Sequence, residues 1–363
     1  MILWLKLIAA IHAPAAWNVN DLSVLLPLPK AGEESQMLKP SPALLPKPLY
    51  DALPNMLMKP DPETVYNNLL KVIAIRFDHC FREGEGNPPC QKQIRMVWQP
   101  VTTKGGKATT LDGAIHSFYA FDDQTFAAMV EELKKLRLEN GPATLGVHPV
   151  LAREGYGVHW EKLKNLITKY CTSKNIIRAT MMTTNPRGNI WTFSGFDVVN
   201  GQLKRIAIAR TPGATVQSFF AALQNAEGEF RAGMDPQPEG EQAFVSLLKN
   251  SEEAKTMMTD RSLIEATKSA LRFENPRLTN PGTVDCASCH SAHVIPPWTL
   301  KNFSFDWDNT FAAELYARLN PATKQEPANV LRAFGYFKDR PVISRRTENE
   351  AVETATQFNE ENL

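Results

Sequence analysis

The chain has 363 residues, 43% of them apolar and 22% charged, with a formal net charge of +1. That balance belongs to a folded chain with a buried core rather than to a disordered one, and it excludes the strong field that attracts nucleic acid or another polyanion. The length leaves room for two domains.

Met1 to Ile11 is apolar apart from Lys6, and Ala13-Pro14-Ala15 supplies small residues in an A-x-A pattern. The pattern predicts a secretory signal peptide over 1–15 and a mature chain outside the cytoplasm, periplasmic in a bacterium. A buried N-terminal helix is the competing reading. No later run reaches the roughly 18 apolar residues of a membrane span, so none is expected in the mature chain. Residues 16–62 read as a proline-rich arm, with Pro27, Pro29, Pro40, Pro42, Pro46, Pro48, Pro54, Pro60 and Pro62. Proline removes donors and fixes φ, which leaves short turns and extended chain.

Residues 63–235 predict an α+β domain: an antiparallel sheet with packed helices. Strands are expected at Val72–Phe77, at Ile94–Trp98 with its period-two alternation, at Ile115–Phe121 and at Ile176–Met182. Ile190–Val199 and Leu203–Ala209 flank Asn200-Gly201, the residue pair that best accepts two positive φ angles, and predict a hairpin. Helices are expected around Phe126, Met129, Val130 and Leu133, around Trp160, Leu163, Leu166 and Ile167, and around Val216, Phe219, Phe220 and Leu223. Cys80 and Cys90 bracket a Gly/Pro-rich loop, which in an oxidising compartment reads as a structural disulfide. Cys171 falls on an apolar helical stripe and reads as a buried thiol. No G-x-S-x-G, P-loop or H-E-x-x-H pattern occurs in this part.

After a polar stretch at 228–240 the pattern of 236–363 turns helical. Helices are expected at Ser251–Phe273 and Thr310–Leu319, with a last one capped by Ser344. Between them lies Asp285-Cys286-Ala287-Ser288-Cys289-His290, two cysteines three apart with a histidine directly after the second. This is the spacing of a covalent c-type haem site. Two thiols must sit about one turn apart to add across the vinyl groups on one porphyrin edge, and the next residue then offers an imidazole to the iron. A zinc site using Cys286, Cys289 and His290 or His293 lacks the second ligand couple such sites use. A thioredoxin-type pair lacks the preceding strand, since Asn275-Pro276 and Asn280-Pro281-Gly282 stand there. A structural disulfide is the third competing reading.

Cys286, Cys289 and His290 resemble the attachment site of c-type cytochromes. The resemblance covers the motif and extends at most to the C-terminal third. It implies one haem c held by Cys286 and Cys289, with His290 as proximal iron ligand, in a mostly α-helical cytochrome c-like domain. It agrees with export, and it implies electron transfer with a redox partner protein. One departure matters: no Met follows Met258, where small cytochromes place a distal ligand. A sixth ligand must come from upstream, with Met257, Met258, Met234, His159, His148, His116 and His79 as candidates, or be missing. In the latter case a haem enzyme or gas sensor with an open position is the alternative. A non-haem binding protein with a structural Cys/His metal site is the third reading. Trp298, Phe303, Phe305, Trp307, Tyr316, Phe334, Tyr336 and Phe337 supply the aromatic density that walls around a haem need, and Arg332, Arg340, Arg345 and Arg346 read either as partners of its propionates or as a solvated surface.

Overall fold

Alternating apolar and polar residues in the first two-thirds of the chain build one large antiparallel sheet. The computed structural model describes residues 16–54, 61–81, 90–138, 141–185, 187, 189–224, 229–316 and 331–363. The expected signal segment, 1–15, and the loop at 82–89 lie outside these. The sheet strands are β1 Ser23–Leu25, β2 Leu70–Phe81, β3 Gln91–Lys104, β4 Lys107–Thr110, β5 Ala114–Phe121, β6 Ile176–Thr184, β7 Ile190–Val199, β8 Gln202–Arg205, β9 Val216–Gln224 and β10 Phe230–Asp235. Their order is β1-β2-β3-β5-β6-β7-β9-β10, with β4 paired to β3 and β8 to β7. β1 comes from the proline-rich arm and pairs with β2 through Ser23–Leu25. Cys80 and Cys90 are joined as a disulfide, with 4.3 Å between their Cα atoms. The β7–β8 turn is Asn200-Gly201, with φ of 51° and 75°, the positive values that a two-residue hairpin of this hand requires.

The two sheet faces have different chemistry. On the first, Phe77 opposes Ile94, Met96 opposes Ser117, Trp98 opposes Ile115, and Tyr119 opposes Ile176. This face packs in one core with helices α1 Asp123–Leu133 and α2 Val158–Tyr170, which contribute Phe126, Met129, Val130, Trp160, Leu163 and Ile167. On the second face the cross-strand rows are polar in the centre. One row runs Arg76, Arg95, Phe118, Arg178, Asp197, and the next runs Ala74, Val97, His116, Thr180, Gly195. A third row, Ala114, Met182, Phe193, Gln217, leads into a second apolar core.

That second core is covered by helices α3 Gln242–Lys249, α4 Ser251–Met257, α5 Asp260–Glu274, α6 Cys286–Ser291 and α7 Ile295–Asn302. A hairpin, β11 Phe334–Phe337 and β12 Arg340–Ile343, then docks beneath β3. There the Gln99 amide donates to the Tyr336 carbonyl at 3.1 Å and accepts from the Tyr336 amide at 2.8 Å. The last helix, α8 Arg345–Glu360, is capped by Ser344 as expected. It returns to the first core, where Phe358 packs on Trp17 and Phe126.

Four expected elements differ, the first being the second arm of the hairpin, expected at Leu203–Ala209 and found as β8, which ends at Arg205. Val216–Leu223 is the strand β9, not a helix. Its i, i+3, i+4, i+7 spacing is helical, but β7 and β10 offer hydrogen bonds on both edges, and β-branched and aromatic residues suit a sheet. Burial there follows period two, with Gln217 and Phe219 inside and Val216 and Phe220 outside. The expected helix at 251–273 is two helices, because Thr259 caps a new start with its side chain. The one expected at 310–319 ends early, as a short helix over Trp307–Phe311; residues 317–330 lie outside the described residues.

Candidate functional site

Helix α6 begins at Asp285. Its carboxylate caps the helix by accepting from the Ser288 amide at 3.0 Å, which satisfies one of the orphan donors of a first turn. The same carboxylate accepts from the Gln217 side-chain amide at 2.7 Å, while the Gln217 carbonyl oxygen accepts from the Ala287 amide at 2.8 Å. Gln217 is fully buried on β9, so the cysteine motif is clamped onto the sheet from two sides. Burial raises the Asp285 pKa against the lowering pull of these bonds. Replacing Gln217 by Leu strands the buried Ala287 amide and leaves the Asp285 carboxylate with its bond from Ser288. The expected loss is about 1–3 kcal/mol, read in urea unfolding, with faster amide exchange confined to 285–291. Unchanged exchange there would mean that the clamp does not hold the motif.

The faces of α6 are sharply divided. Asp285, Ala287, Ser288 and Ser291 are buried, whereas Cys286, Cys289 and His290 are all partly exposed. Positions i, i+3 and i+4 share one helix face, so both thiols and the imidazole open on the same space. Cys286 and Cys289 are free thiols. Burial, then the Asp285 carboxylate, pushes Cys286 up to about 12; burial pushes Cys289 up to about 11. The His290 Nδ1 lies 2.7 Å from the Leu331 carbonyl oxygen. A carbonyl only accepts, so Nδ1 carries the proton and Nε2 keeps its lone pair. This is how proteins fix the tautomer of a ligating histidine. The ring packs against Phe193 with centroids 5.0 Å apart. His293 is turned into the core instead and is 4% exposed.

Arg95, His116, Arg178, Thr180 and Asp197 are partly exposed although they lie in mid-sheet. Burial, then His290, pushes the His116 pKa down to about 3. Arg95 also lines a cleft of about 340 Å³, together with Arg76, Asp78, Arg346 and Glu350 among others. Glu350 accepts from Arg76, from Arg95 at 3.1 Å and from Arg346 at 2.6 Å. Burial alone would raise the Glu350 pKa, but the three guanidiniums hold it well below the usual carboxylate range. Three cations against Asp78 and Glu350 leave a local excess of positive charge. Arg76 Nε and Nη2 are buried and donate no hydrogen bond among the described residues.

Of the arginines expected to meet propionates, only Arg346 lines this cleft. Arg332 pairs with Asp112 at 2.7 Å and lies over the Trp191 and Phe337 rings. Arg345 faces Glu274 at 3.7 Å, and Arg340 is exposed on the hairpin. Arg76 and Arg95 escaped the sequence reading because each sits in a strand where alternating polar residues read as a solvated face. The aromatics also divide. Trp298, Phe303, Phe305, Phe311 and Trp307 pack in a chain on one another, while Tyr336 is anchored to Leu26 through its hydroxyl.

The sixth-ligand candidates separate cleanly. His79 pairs with Glu361 at 2.7 Å and packs on Phe126 and Phe358, with the first core. His148 and His159 stack on each other at 5.0 Å. Met257 is 73% exposed, and Met258 packs on the second core. Met234 accepts from the Ser288 hydroxyl at 3.6 Å, on the buried face of α6 and behind the thiols. His116 alone of these stands in the polar rows of the second sheet face.

Glu274, at the end of α5, belongs to the same buried charge network. Burial raises it to about 7, against the pull of Arg345. The folded chain then holds a proton that the unfolded chain releases above its ordinary value of 4.5. Stability therefore falls as pH rises from about 4.5 to about 7 and levels off above. Glu274→Gln is expected to flatten that slope and to gain on the order of 2 kcal/mol at pH 8, in unfolding curves taken across the range. A slope of equal size in the variant would assign it elsewhere.

No family model, curated protein sequence or solved structure matches the chain. Among the described residues, no three His, Cys, Asp or Glu side chains are grouped so as to hold a metal ion, and no helix is long and apolar enough to cross a membrane. The donor set does fit a haem c. Two thiols one turn apart share an open face with an imidazole of fixed tautomer, and unpaired Arg76 donors stand in the neighbouring cleft.

Proposed function

We propose that this chain is an extracytoplasmic mono-haem c-type cytochrome that passes electrons to a redox partner protein. The reading rests on one observation above the others: Cys286, Cys289 and His290 are the partly exposed residues of a helix whose remaining motif positions are buried. A haem attached there supplies a one-electron couple. The chain's own residues do the rest. Cys286 and Cys289 would hold it through their free thiols. His290 presents Nε2, held in place by the bond from Nδ1 to the Leu331 carbonyl. Ala287, Ala292 and Phe193, buried in the second core, keep water from the proximal side, and a dry wall raises the potential of such a couple. Arg76, whose Nε and Nη2 donate no hydrogen bond among the described residues, would be the guanidinium left to meet a propionate carboxylate. The Cys80–Cys90 disulfide fits an oxidising compartment.

The test is export of the full chain in cells with c-type haem maturation, followed by a haem stain on the denatured protein. Covalent haem in the native sequence, lost when Cys286 and Cys289 are both replaced by Ala, supports the reading. A native chain that exports and folds without haem sinks it, and zinc or disulfide chemistry at the same cysteines would be tested next.

A further inference from the structure

We propose that the arginine-lined cleft is a binding site for a small free monocarboxylate, anchored by the side-on fork of Arg76. The proposal stands whether or not haem is attached, since Cys286, Cys289 and His290 are not among the residues that line the cleft.

The sheet register creates the demand for an anion. Arg76 on β2 and Arg95 on β3 stand directly opposite each other. Like charges in that relation destabilise a sheet unless anions lie around them. Two carboxylates answer part of the demand. Asp78 accepts from the Arg95 fork, from Nε at 2.6 Å and from Nη2 at 3.0 Å. Glu350 accepts from Nη1 of Arg76. The fork of Arg76 is left over. Its Nε and Nη2 are the same two nitrogens that hold Asp78 on Arg95, yet they donate no hydrogen bond among the described residues. Asp78 Oδ1 lies 3.7 Å from Nη2, too far for a hydrogen bond, and is already bonded to Arg95. The Arg76 side chain is 6% exposed, and unpaired donors of a buried charged group are costly. A carboxylate is the acceptor whose two oxygens match this fork. Both nitrogens are covered, so binding includes a turn of the guanidinium toward the cleft that Arg76 lines.

The lining sets the class of ligand. Four guanidiniums, those of Arg76, Arg95, Arg277 and Arg346, meet three carboxylates, those of Asp78, Glu350 and Glu353. One positive charge remains, which suits a monoanion and disfavours a dicarboxylate or a phosphate dianion. Burial, then Arg95, lowers the Arg76 pKa against the pull of Glu350 and Asp78, the direction expected of a cation short of one anion. Thr354 and Gln357 of α8 add neutral hydrogen-bonding groups to the lining, which suits an acid with a hydroxyl beside its carboxylate. At about 340 Å³ the cleft is at the small end of ligand pockets.

The experiment titrates the full-length chain, haem-free and haem-loaded, with acetate, lactate, succinate and inorganic phosphate in a calorimeter at constant ionic strength. Lactate is expected to bind once per chain, with acetate weaker, and succinate and phosphate weaker still. Gln357→Glu changes little in shape but brings a fourth carboxylate to the lining, and should weaken lactate roughly tenfold. Arg76→Gln should abolish binding, and Gln357→Glu keeps the test decisive if that chain does not fold. No binding of any probe to either form would overturn the proposal and leave the cleft to water. Equal affinity in Gln357→Glu would overturn it too, by placing the ligand elsewhere. Binding to the haem-free chain alone would overturn the free acid as ligand and give the same carboxylate site to a haem propionate. A chain that takes up no haem and still binds lactate would sink the cytochrome reading and support this one.

Discussion

Replacing Glu350 by Gln is expected to destabilise the fold by roughly 3–5 kcal/mol, the usual cost of breaking a buried ion pair by removing one partner. Glu350 receives Arg76, Arg95 and Arg346 at once, and all four side chains are at most 14% exposed. Asp78 would remain as the neighbouring acid, bonded to Arg95 at 2.6 Å and 3.7 Å from Arg76. It cannot serve three cations. The pH dependence carries a definite sign. Glu350 has a lowered pKa in the folded chain, so its contribution is present above its unfolded value, near 4.5, and is lost as pH falls toward the folded value. The native chain should lose stability on acidification below that point, and the variant should not show this part of the loss. Urea midpoints measured between pH 3 and pH 7 decide it. A loss below about 1 kcal/mol would mean that water reaches the cluster and screens it. Attached haem should shrink the penalty, because its carboxylates would supply the missing negative charge. A penalty equal with and without haem would argue that the cleft does not hold propionates.

The arginine cluster also shows where the sequence ran out. The cysteine motif, the Asn200-Gly201 turn, the Ser344 cap and the pairing of Cys80 with Cys90 are local patterns, each within a dozen residues, and each was readable. The polar rows of the second sheet face are not local. Arg76, Arg95, His116 and Arg178 come from four strands and meet only because antiparallel register sets them in adjacent rows. In a strand of alternating residues, a charge every second position normally marks the solvated face. Here a second layer of helices covers that face, and nothing in β2 or β3 announces it. The signal that was available is weak: the polar positions of successive strands carry Arg, Arg, His and Arg, one sign of charge facing a Cys-Cys-His motif. The helix expected at Val216–Leu223 failed for a related reason, since its sheet partners lie outside the window that periodicity sees. The same strand carries Gln217, which clamps the motif and which sequence alone gave no reason to select.

Replacing His290 by Ala is the second large effect expected. It separates attachment from ligation. On the proposed reading haem attachment depends on Cys286 and Cys289, so a denatured sample of His290→Ala should still stain for haem. The same reading gives axial ligation to His290 Nε2, so the low-spin reduced spectrum should disappear. The change also leaves the Leu331 carbonyl without its partner at 2.7 Å. Leu331 is 2% exposed, and an unsatisfied buried acceptor costs about 1–3 kcal/mol. A fall in stability of that size in the haem-free chain would show that the Nδ1 bond is formed before any haem arrives. Preorganisation of this kind matters for an electron carrier, because a ligand that need not move when the iron changes charge keeps the reorganisation of each transfer small. His290→Ala with an unchanged low-spin spectrum would remove His290 from the iron. The two free thiols would then be the part of the motif still to explain, with His293, three residues on and 4% exposed, too deeply buried to take the place of His290.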